Sequence, residues 1–370
     1  MALPVVERMK DTIRERNLAD SGTPVLLMVS GGSDSTALAY LACDLCDEGV
    51  FGPLAMLHVN HQLRGEDADG DARFVSQLAE QLGIPLFSCE IDIAGEADRT
   101  HENVEAVARR ERYLAANEAL ASLCRRASAP LSDGRIFTAH TADDRVESFY
   151  MRSIVGTGPG GFRAMRYRNG PVVRPLMDVS REDLRAFIAD RERSGEAVSA
   201  DERGDLWRED ATNAHTDRFR AFVRHEIVPR AKERNPQLLE VLCRTMNLIA
   251  DEDDLMGEQA ASLVAKRVEW IESTEAAGVD YGSGCVLSPD MGADPVPLAR
   301  RAVVHVLGRI LGSEARVETA TVDAVLSAFR DGAPLGGYVS NVQGDLAVSA
   351  NKQGVRIEPM AAFRARRKRG

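Results

Sequence analysis

Between residues 25 and 155 the chain repeats one pattern, a short apolar run followed by a helical segment. VLLMVS (25–30) is a β-type run, and TALAYLACDLC (36–46) continues as a helix. LAMLHVN (54–60) leads into EDADGDARFVSQLAEQLG (66–83), which Gly83 and Pro85 close. LFSCEID (86–92) precedes NVEAVARRERYLAANEALASLC (103–124), and IFTAH (136–140) precedes DRVESFYMRSIVG (144–156). Strand and helix alternating at this spacing predict βαβ units. The expected fold class is therefore α/β, a doubly wound, mostly parallel sheet with helices on both faces. The runs show little apolar–polar alternation, as parallel strands covered on both faces do.

Beyond about residue 157 the texture changes. GTGPGGFRAM (156–165) is a glycine-rich loop and VVRPLM (172–177) a short extended piece, and Ser180 caps a helix through REDLRAFIADRE. A polar stretch (194–217) and FRAFVRHEIVPRAKE follow, and the pattern past Pro236 is helical to about 272. Residues 274–295, rich in Gly and Pro, read as a linker or long loop. Helices are expected at 297–312 and 319–330, then hairpin-like runs and a basic end, FRARRKRG.

Composition excludes several classes. Hydrophobic residues at 44% and charged ones at 28% rule out collagen-like and wholly disordered chains. No run of about 18 apolar residues is present, so no membrane span is expected. Val5, Val6, Met9 and Ile13 recur at helical spacing among charges, where a secretory leader needs an uninterrupted apolar core. The six cysteines (43, 46, 89, 124, 243 and 285) are too scattered for a disulfide scaffold. A reducing cytoplasm is the expected compartment. The net charge of -11 argues against non-specific binding to polyanions and leaves room for a local basic groove.

The hexapeptide SGGSDS (30–35) lies between the first strand and its helix. Gly31 and Gly32 permit close backbone approach, and successive N–H groups at a helix start form an anion cradle to which Ser30, Ser33 and Ser35 add hydroxyls. Asp34 is the odd member, because a carboxylate beside a phosphate is repulsive unless Mg²⁺ bridges them. The competing reading is an ordinary turn and helix cap. The stretch is neither a Walker A loop nor a G-x-G-x-x-G fingerprint. It resembles the PP-loop, or N-type, ATP pyrophosphatases, which cleave ATP between the α and β phosphates.

Further stretches narrow the resemblance: HVNHQLRGEDADGD (58–71), NVEAVARRERY (103–113), TAHTADDRVES (138–148), GTGPGGFRAM, VVRPLM, EDATN (209–213) and RFRAFVRHEIVP (218–229). Together they resemble the tRNA(Ile)-lysidine synthetase family from residue 25 to about 230. The resemblance implies ATP and Mg²⁺ as cofactors, and free L-lysine and tRNA(Ile) with a CAU anticodon as partners, and it admits a homodimer. It implies an adenylated wobble cytidine from which lysine displaces AMP. It also implies a PP-loop catalytic domain (1–217), a helical linker or substrate-binding region (218–273) and a small α+β tRNA-binding module (274–370).

By resemblance, Asp34, Arg109, Asp144 and Glu147 are the catalytic candidates, with Asp34 and Asp144 as the Mg²⁺ ligands. Ser30, Gly31, Gly32, Ser33, Asp34 and Ser35 would bind ATP. His58, Asn60, His61, Arg64, Arg112, Asp143, Arg220 and Arg224 would meet substrate. Each has a plainer reading: acids favour a helix start electrostatically, Arg109 and Arg112 lie in a charged run, and His58 and His61 suit a structural role. The chain departs from the family pattern at Arg145, where Gln is usual, and at Ala221, where Asn is usual. Cys43-x-x-Cys46 lies in an apolar helix without a second pair and reads as packing, not as part of an iron–sulfur site. Cations for RNA are Arg125, Arg126, Arg163, Arg166, Arg168 and the tail Arg364, Arg366, Arg367, Lys368 and Arg369. Alternatives are another PP-loop enzyme acting on tRNA or a metabolite, and a non-catalytic nucleotide-binding module.

Overall fold

A computed structural model of the chain describes residues 4–61, 66–208, 219–272, 275–276, 279–280, 282–312 and 315–368. The chain divides into two compact units, Met1–Ala250 and Asp251–Gly370.

In the first unit, α1 (Val5–Glu15) precedes β1 (Val25–Met28), α2 (Ser33–Asp47), β2 (Leu54–Asn60), α3 (Glu66–Leu82) and β3 (Leu86–Glu90). Then come α4 (Ile93–Thr100), α5 (Val104–Arg126), β4 (Arg135–Phe137), α6 (Ala142–Val155), β5 (Arg168–Asn169), β6 (Val172–Val173) and α7 (Arg181–Arg193). The strand order is β3-β2-β1-β4-β6-β5. All pairings are parallel except β5 with β6. The expected parallel α/β sheet is thus present. Its order reverses at β1, with β2 on one side and β4 on the other, and ligands of such sheets bind outside the strand ends at that point. The helices leaving β1 and β4, α2 and α6, both begin there.

Alternate residues of β1, with Val29 just beyond it, feed two cores. Val25, Leu27 and Val29 join Leu38, Leu41, Phe74 and Leu78 on one face, and Leu26 joins Leu57, Ala116 and Leu120 on the other. Burying such a side chain contributes about 2 kcal/mol, so period-2 alternation vanishes because both faces are apolar. Cys43 and Cys46 pack against the first of these cores. Helix α4 has no counterpart in the sequence reading. It is a short element held by the Asp92 side chain, which accepts from the Gly95 N–H, and ended by left-handed His101. Strand β6 is shorter than the apolar run suggests, because Pro171 and Pro175 bracket it and prolines supply no ladder N–H.

The first unit's last helical stretch is α8 (Phe219–Phe222), a π-helical turn (Val223–Ile227) and α9 (Val228–Arg234). Pro229 follows that turn and has no N–H for the carbonyl four residues back, so the ladder widens ahead of it. Helix α10 (Leu238–Arg267) runs across the division between the units.

The second unit carries β7 (Val268–Ile271), β8 (Gly284–Leu287), α11 (Val296–Leu311), α12 (Thr319–Leu326), β9 (Val339–Val342), β10 (Leu346–Asn351), β11 (Gly354–Pro359) and α13 (Met360–Arg367). Its antiparallel sheet has the order β9-β10-β11-β8-β7. The 274–295 stretch is therefore more than a linker. It contains β8, whose Cys285 and Leu287 are fully buried between the neighbouring strands. The helix expected to reach 272 stops at Arg267, and α12 stops at Leu326, where Phe329–Arg330 pairs with Ala333–Pro334. The basic end is helical as far as Arg367. Phe363 is buried, and Arg366 holds buried Glu358 at 2.6 Å.

Candidate active site

The SGGSDS segment turns from β1 into α2 with Gly31 at φ +91°, a backbone that a side chain strains. Gly32 stands at the N-cap, and no side chain caps α2. The first-turn N–H groups of α2 are thereby left for a ligand, and the helix start favours an anion. Hydroxyls brace the bend: Ser35 Oγ donates to the Gly32 carbonyl at 3.0 Å, Thr36 Oγ1 donates to the Gly31 carbonyl at 3.2 Å, and the Ser30 N–H donates to Ser35 Oγ at 3.2 Å. Ser33 Oγ donates to Asp34 Oδ1 at 3.1 Å.

Three carboxylates from two helices meet three guanidinium groups beside this bend. Arg181 spans them, with Nε 3.0 Å from Asp34 Oδ2, Nη2 3.3 Å from Asp144 Oδ1 and Nη1 3.8 Å from Glu147 Oε1. Arg220 reaches Asp144 Oδ1 and Glu147 Oε2, both at 2.8 Å. Arg224 donates through Nε to Glu147 Oε1 at 2.6 Å and through Nη2 to Glu147 Oε2 at 3.1 Å. Glu147 is 2% exposed and still charge-matched, the condition under which a buried acid is tolerated.

Asp144 also answers the plainer reading of acids at a helix start. It forms a capping box with Thr141, whose N–H donates to Asp144 Oδ2 at 2.8 Å, while Oδ1 faces the arginines. Both oxygens of Asp143 are taken elsewhere. One accepts the Arg181 backbone N–H at 2.8 Å, and the other accepts from Lys232 Nζ at 3.3 Å. Asp143 thus ties the start of α7 to that of α6 and stands apart from the other two acids. Burial pushes the Asp34 carboxyl up, with Arg181 opposing and Asp144 adding to the rise. For Asp144 burial acts the same way, but Arg220 and Arg181 outweigh it and hold the carboxyl low.

The other expected residues are more dispersed. His58 is buried on β2, its Nδ1 2.9 Å from the Val29 carbonyl. Asn60 is buried at the end of the same strand. His61 Nε2 lies 3.1 Å from Arg112 Nη2, which joins two of them. Arg109 is exposed on α5, its guanidinium 5.2 Å from the Tyr113 ring centroid. Arg64 and the EDATN stretch lie outside the described residues.

Two residues escaped the sequence reading. Arg181 is one, although a cation in the first turn of a helix opposes the helix dipole and marks that position as unusual. His140, directly after β4, is the other. Thr138 Oγ1 lies 2.9 Å from its Nδ1. Burial, reinforced by Arg174, Arg220 and Arg109 against Asp144, brings its pKa down to about 4. Arg145 also finds its reason: it is wholly buried, and it donates to Asp178 at 2.9 Å, to Tyr167 at 3.0 Å and to Asn247 at 2.8 Å.

A glycine-bent phosphate loop at the reversal point of a parallel sheet, with acids and arginines gathered beside it, defines a class of nucleotide-binding protein. Residues 2–231 match the family model of the PP-loop domain, and the chain belongs to that family. It is similar to curated tRNA(Ile)-lysidine synthases. That of Dehalococcoides mccartyi is 31% identical over 273 residues, 71% of this chain and 54% of the relative. That of Thermus thermophilus is 36% identical over 237 residues, 64% and 41%. That of Symbiobacterium thermophilum is 31% identical over 318 residues, 84% and 60%. The chain spans about half the length of the curated relatives it matches.

Proposed function

We propose that this chain ligates free L-lysine to C2 of the wobble cytidine of tRNA(Ile) with a CAU anticodon, using ATP. In the first step the cytidine O2 attacks the α-phosphorus, and the bond to pyrophosphate breaks as the O–P bond forms. In the second, the lysine ε-amine attacks C2, AMP leaves with the C2 oxygen, and a proton passes from the amine to a base. The carrying observation is the meeting of Asp34, Asp144 and Glu147 with Arg181, Arg220 and Arg224 beside the phosphate loop.

The arginines suit the first step, because phosphoryl transfer depends on positioning and on neutralising phosphate charge. Asp144 and Glu147, three residues apart on one face of α6, suit the second, offering oxygens to the lysine ammonium and an acceptor for its proton. Asp34 and Asp144 fit Mg²⁺ as hard oxygen donors separated by one guanidinium. Among the described residues no group of three His, Cys, Asp or Glu side chains could hold a metal. Mg²⁺ is ordinarily held by one or two carboxylates together with substrate phosphates. When bound, Mg²⁺ would supply charge neutralisation on the triphosphate. RNA would meet exposed Arg166 and Arg168 after the glycine-rich loop and the basic face of α13. Among the described residues no helix is long and apolar enough to cross a membrane. We place the reaction in the cytoplasm.

The test is pyrophosphate release from ATP with Mg²⁺, lysine and a CAU transcript, with the digested tRNA analysed by mass spectrometry. Release that requires the transcript and that lysine carries beyond a single round, together with a lysine-bearing cytidine, is expected. Release indifferent to both overturns the reading.

A further inference from the structure

The polar stretch after α7 has no role in the chemistry above, yet it is the segment that lies on the phosphate loop. From Ser199 to Arg208 it is stitched down. The Ser199 N–H donates to the Tyr40 hydroxyl on α2 at 2.7 Å, and Ser199 Oγ bonds Gln81 on α3. Asp201 Oδ1 accepts the N–H groups of Arg203 and Asp205 at 2.8 and 2.9 Å, closing a tight turn. Leu206 and Trp207 pack on the core beneath α2. The Trp207 ring lies 5.5 Å from the Arg185 guanidinium, whose Nε is 3.3 Å from Ser33 Oγ.

Arg208 makes the strap's hydrogen bond to the loop. Its N–H donates to the Gly31 carbonyl at 2.9 Å. Its guanidinium is fixed by Asp71 of α3 at 3.1 Å and by Asp201 at 2.8 Å. Two glycines make room for it. A Cβ on Gly31 would sit 3.5 Å from Arg208 Cγ, and one on Gly70 would sit 2.8 Å from Arg208 Nη2. Gly70 lies inside α3, where glycine is destabilising relative to alanine, so its presence there calls for a reason. The pinned guanidinium supplies one.

The Gly31 carbonyl and the Gly32 N–H belong to one planar trans peptide and point in opposite directions. Holding that carbonyl from the protein side, with Arg208 N–H and Thr36 Oγ1 together, aims the Gly32 N–H out into the anion cradle. We propose that Arg208 is a positioning residue for the phosphate loop. The strap 199–208 presets the loop for triphosphate, and its own guanidinium stays committed to Asp71 and Asp201. The inference rests on reading the loop as the ATP site.

The test uses the full chain and measures Mg·ATP affinity by calorimetry, with KM and kcat for pyrophosphate release. Arg208→Ala and Gly70→Ala should each weaken ATP binding about tenfold, with most of the kinetic effect in KM, as expected when preorganisation is lost. Arg208→Lys, which keeps one ion pair, should recover most of the affinity. Gly70→Ala separates positioning from stability, since it should melt no lower than wild type while binding ATP less well, and it decides the matter if Arg208→Ala does not fold. Wild-type ATP affinity in Gly70→Ala overturns the inference, as does an effect of Arg208→Ala confined to kcat. A wild-type chain that does not bind Mg·ATP overturns the ATP-site reading itself.

Discussion

His140 has a protonation state set by its surroundings. Half-buried and desolvated, with Arg174, Arg220 and Arg109 adding positive charge, its imidazole is neutral in the fold down to about pH 4, whereas in an unfolded chain it takes a proton near pH 6.5. The stabilisation from this difference is complete above pH 6.5 and is lost as the pH falls toward 4. The loss amounts to about 2 kcal/mol by pH 5. Urea unfolding at pH 7.5 and pH 5 should therefore show a smaller acid loss for His140→Gln than for wild type; equal losses would remove the histidine from the account. At this scale the sequence was informative where residue type was out of place. Asp34 in a phosphate loop was legible, and so was the Asp144–Glu147 spacing. Arg181 was not singled out, because only the fold shows that this helix starts beside α6, where Asp143 accepts the Arg181 backbone N–H. Arg145 was legible as a departure but not as a solution, since Tyr167, Asp178 and Asn247 are distant in the chain and meet only in three dimensions.

Among the elements, α6 carries the acids, and its first turn fixes their direction. Thr141 Oγ1 accepts the Asp144 N–H, while the Thr141 backbone N–H separately holds Asp144 Oδ2. Thr141→Ala removes the first of these and the hydroxyl's own donation to Asp144 Oδ2 at 3.1 Å, and leaves the backbone bond. It should cost about 1 kcal/mol in chemical unfolding while pyrophosphate release stays within about tenfold of wild type, because the carboxylate keeps its backbone donor. A complete loss of turnover at unchanged stability would mean that the hydroxyl itself touches the reacting groups. The βαβ elements were readable because each is long and apolar enough to show its period. Helix α4 and strand β8 were not, for two different physical reasons. The first is a short capped turn with little apolar surface, and the second is a brief run amid Gly and Pro that becomes a strand only by pairing on both sides with β11 and β7.

For the whole molecule, the RNA substrate proposed for this acidic chain requires cations gathered locally. Within the second unit α13 gathers them: Phe363 anchors the helix, Arg366 is engaged by Glu358, and Arg364, Arg367 and Lys368 are exposed. Reversing two charges, Arg364→Glu with Arg367→Glu, should lower tRNA affinity at least tenfold near 0.1 M salt. It should also reduce the log–log salt slope by about two, measured by filter binding. An unchanged slope would place the RNA on another face. The division between the units was not legible, because it falls inside α10, where the helical pattern continues without a break.

The groups of the candidate site enter the chain in a fixed succession: the phosphate loop first, the acids of α6 next, then Arg181, and last Arg220 and Arg224. During synthesis on a ribosome, the loop and the acids of α6 emerge well before the final two cations. Glu147, buried in the fold, therefore waits for its two nearest guanidinium partners until Arg220 and Arg224 have been translated.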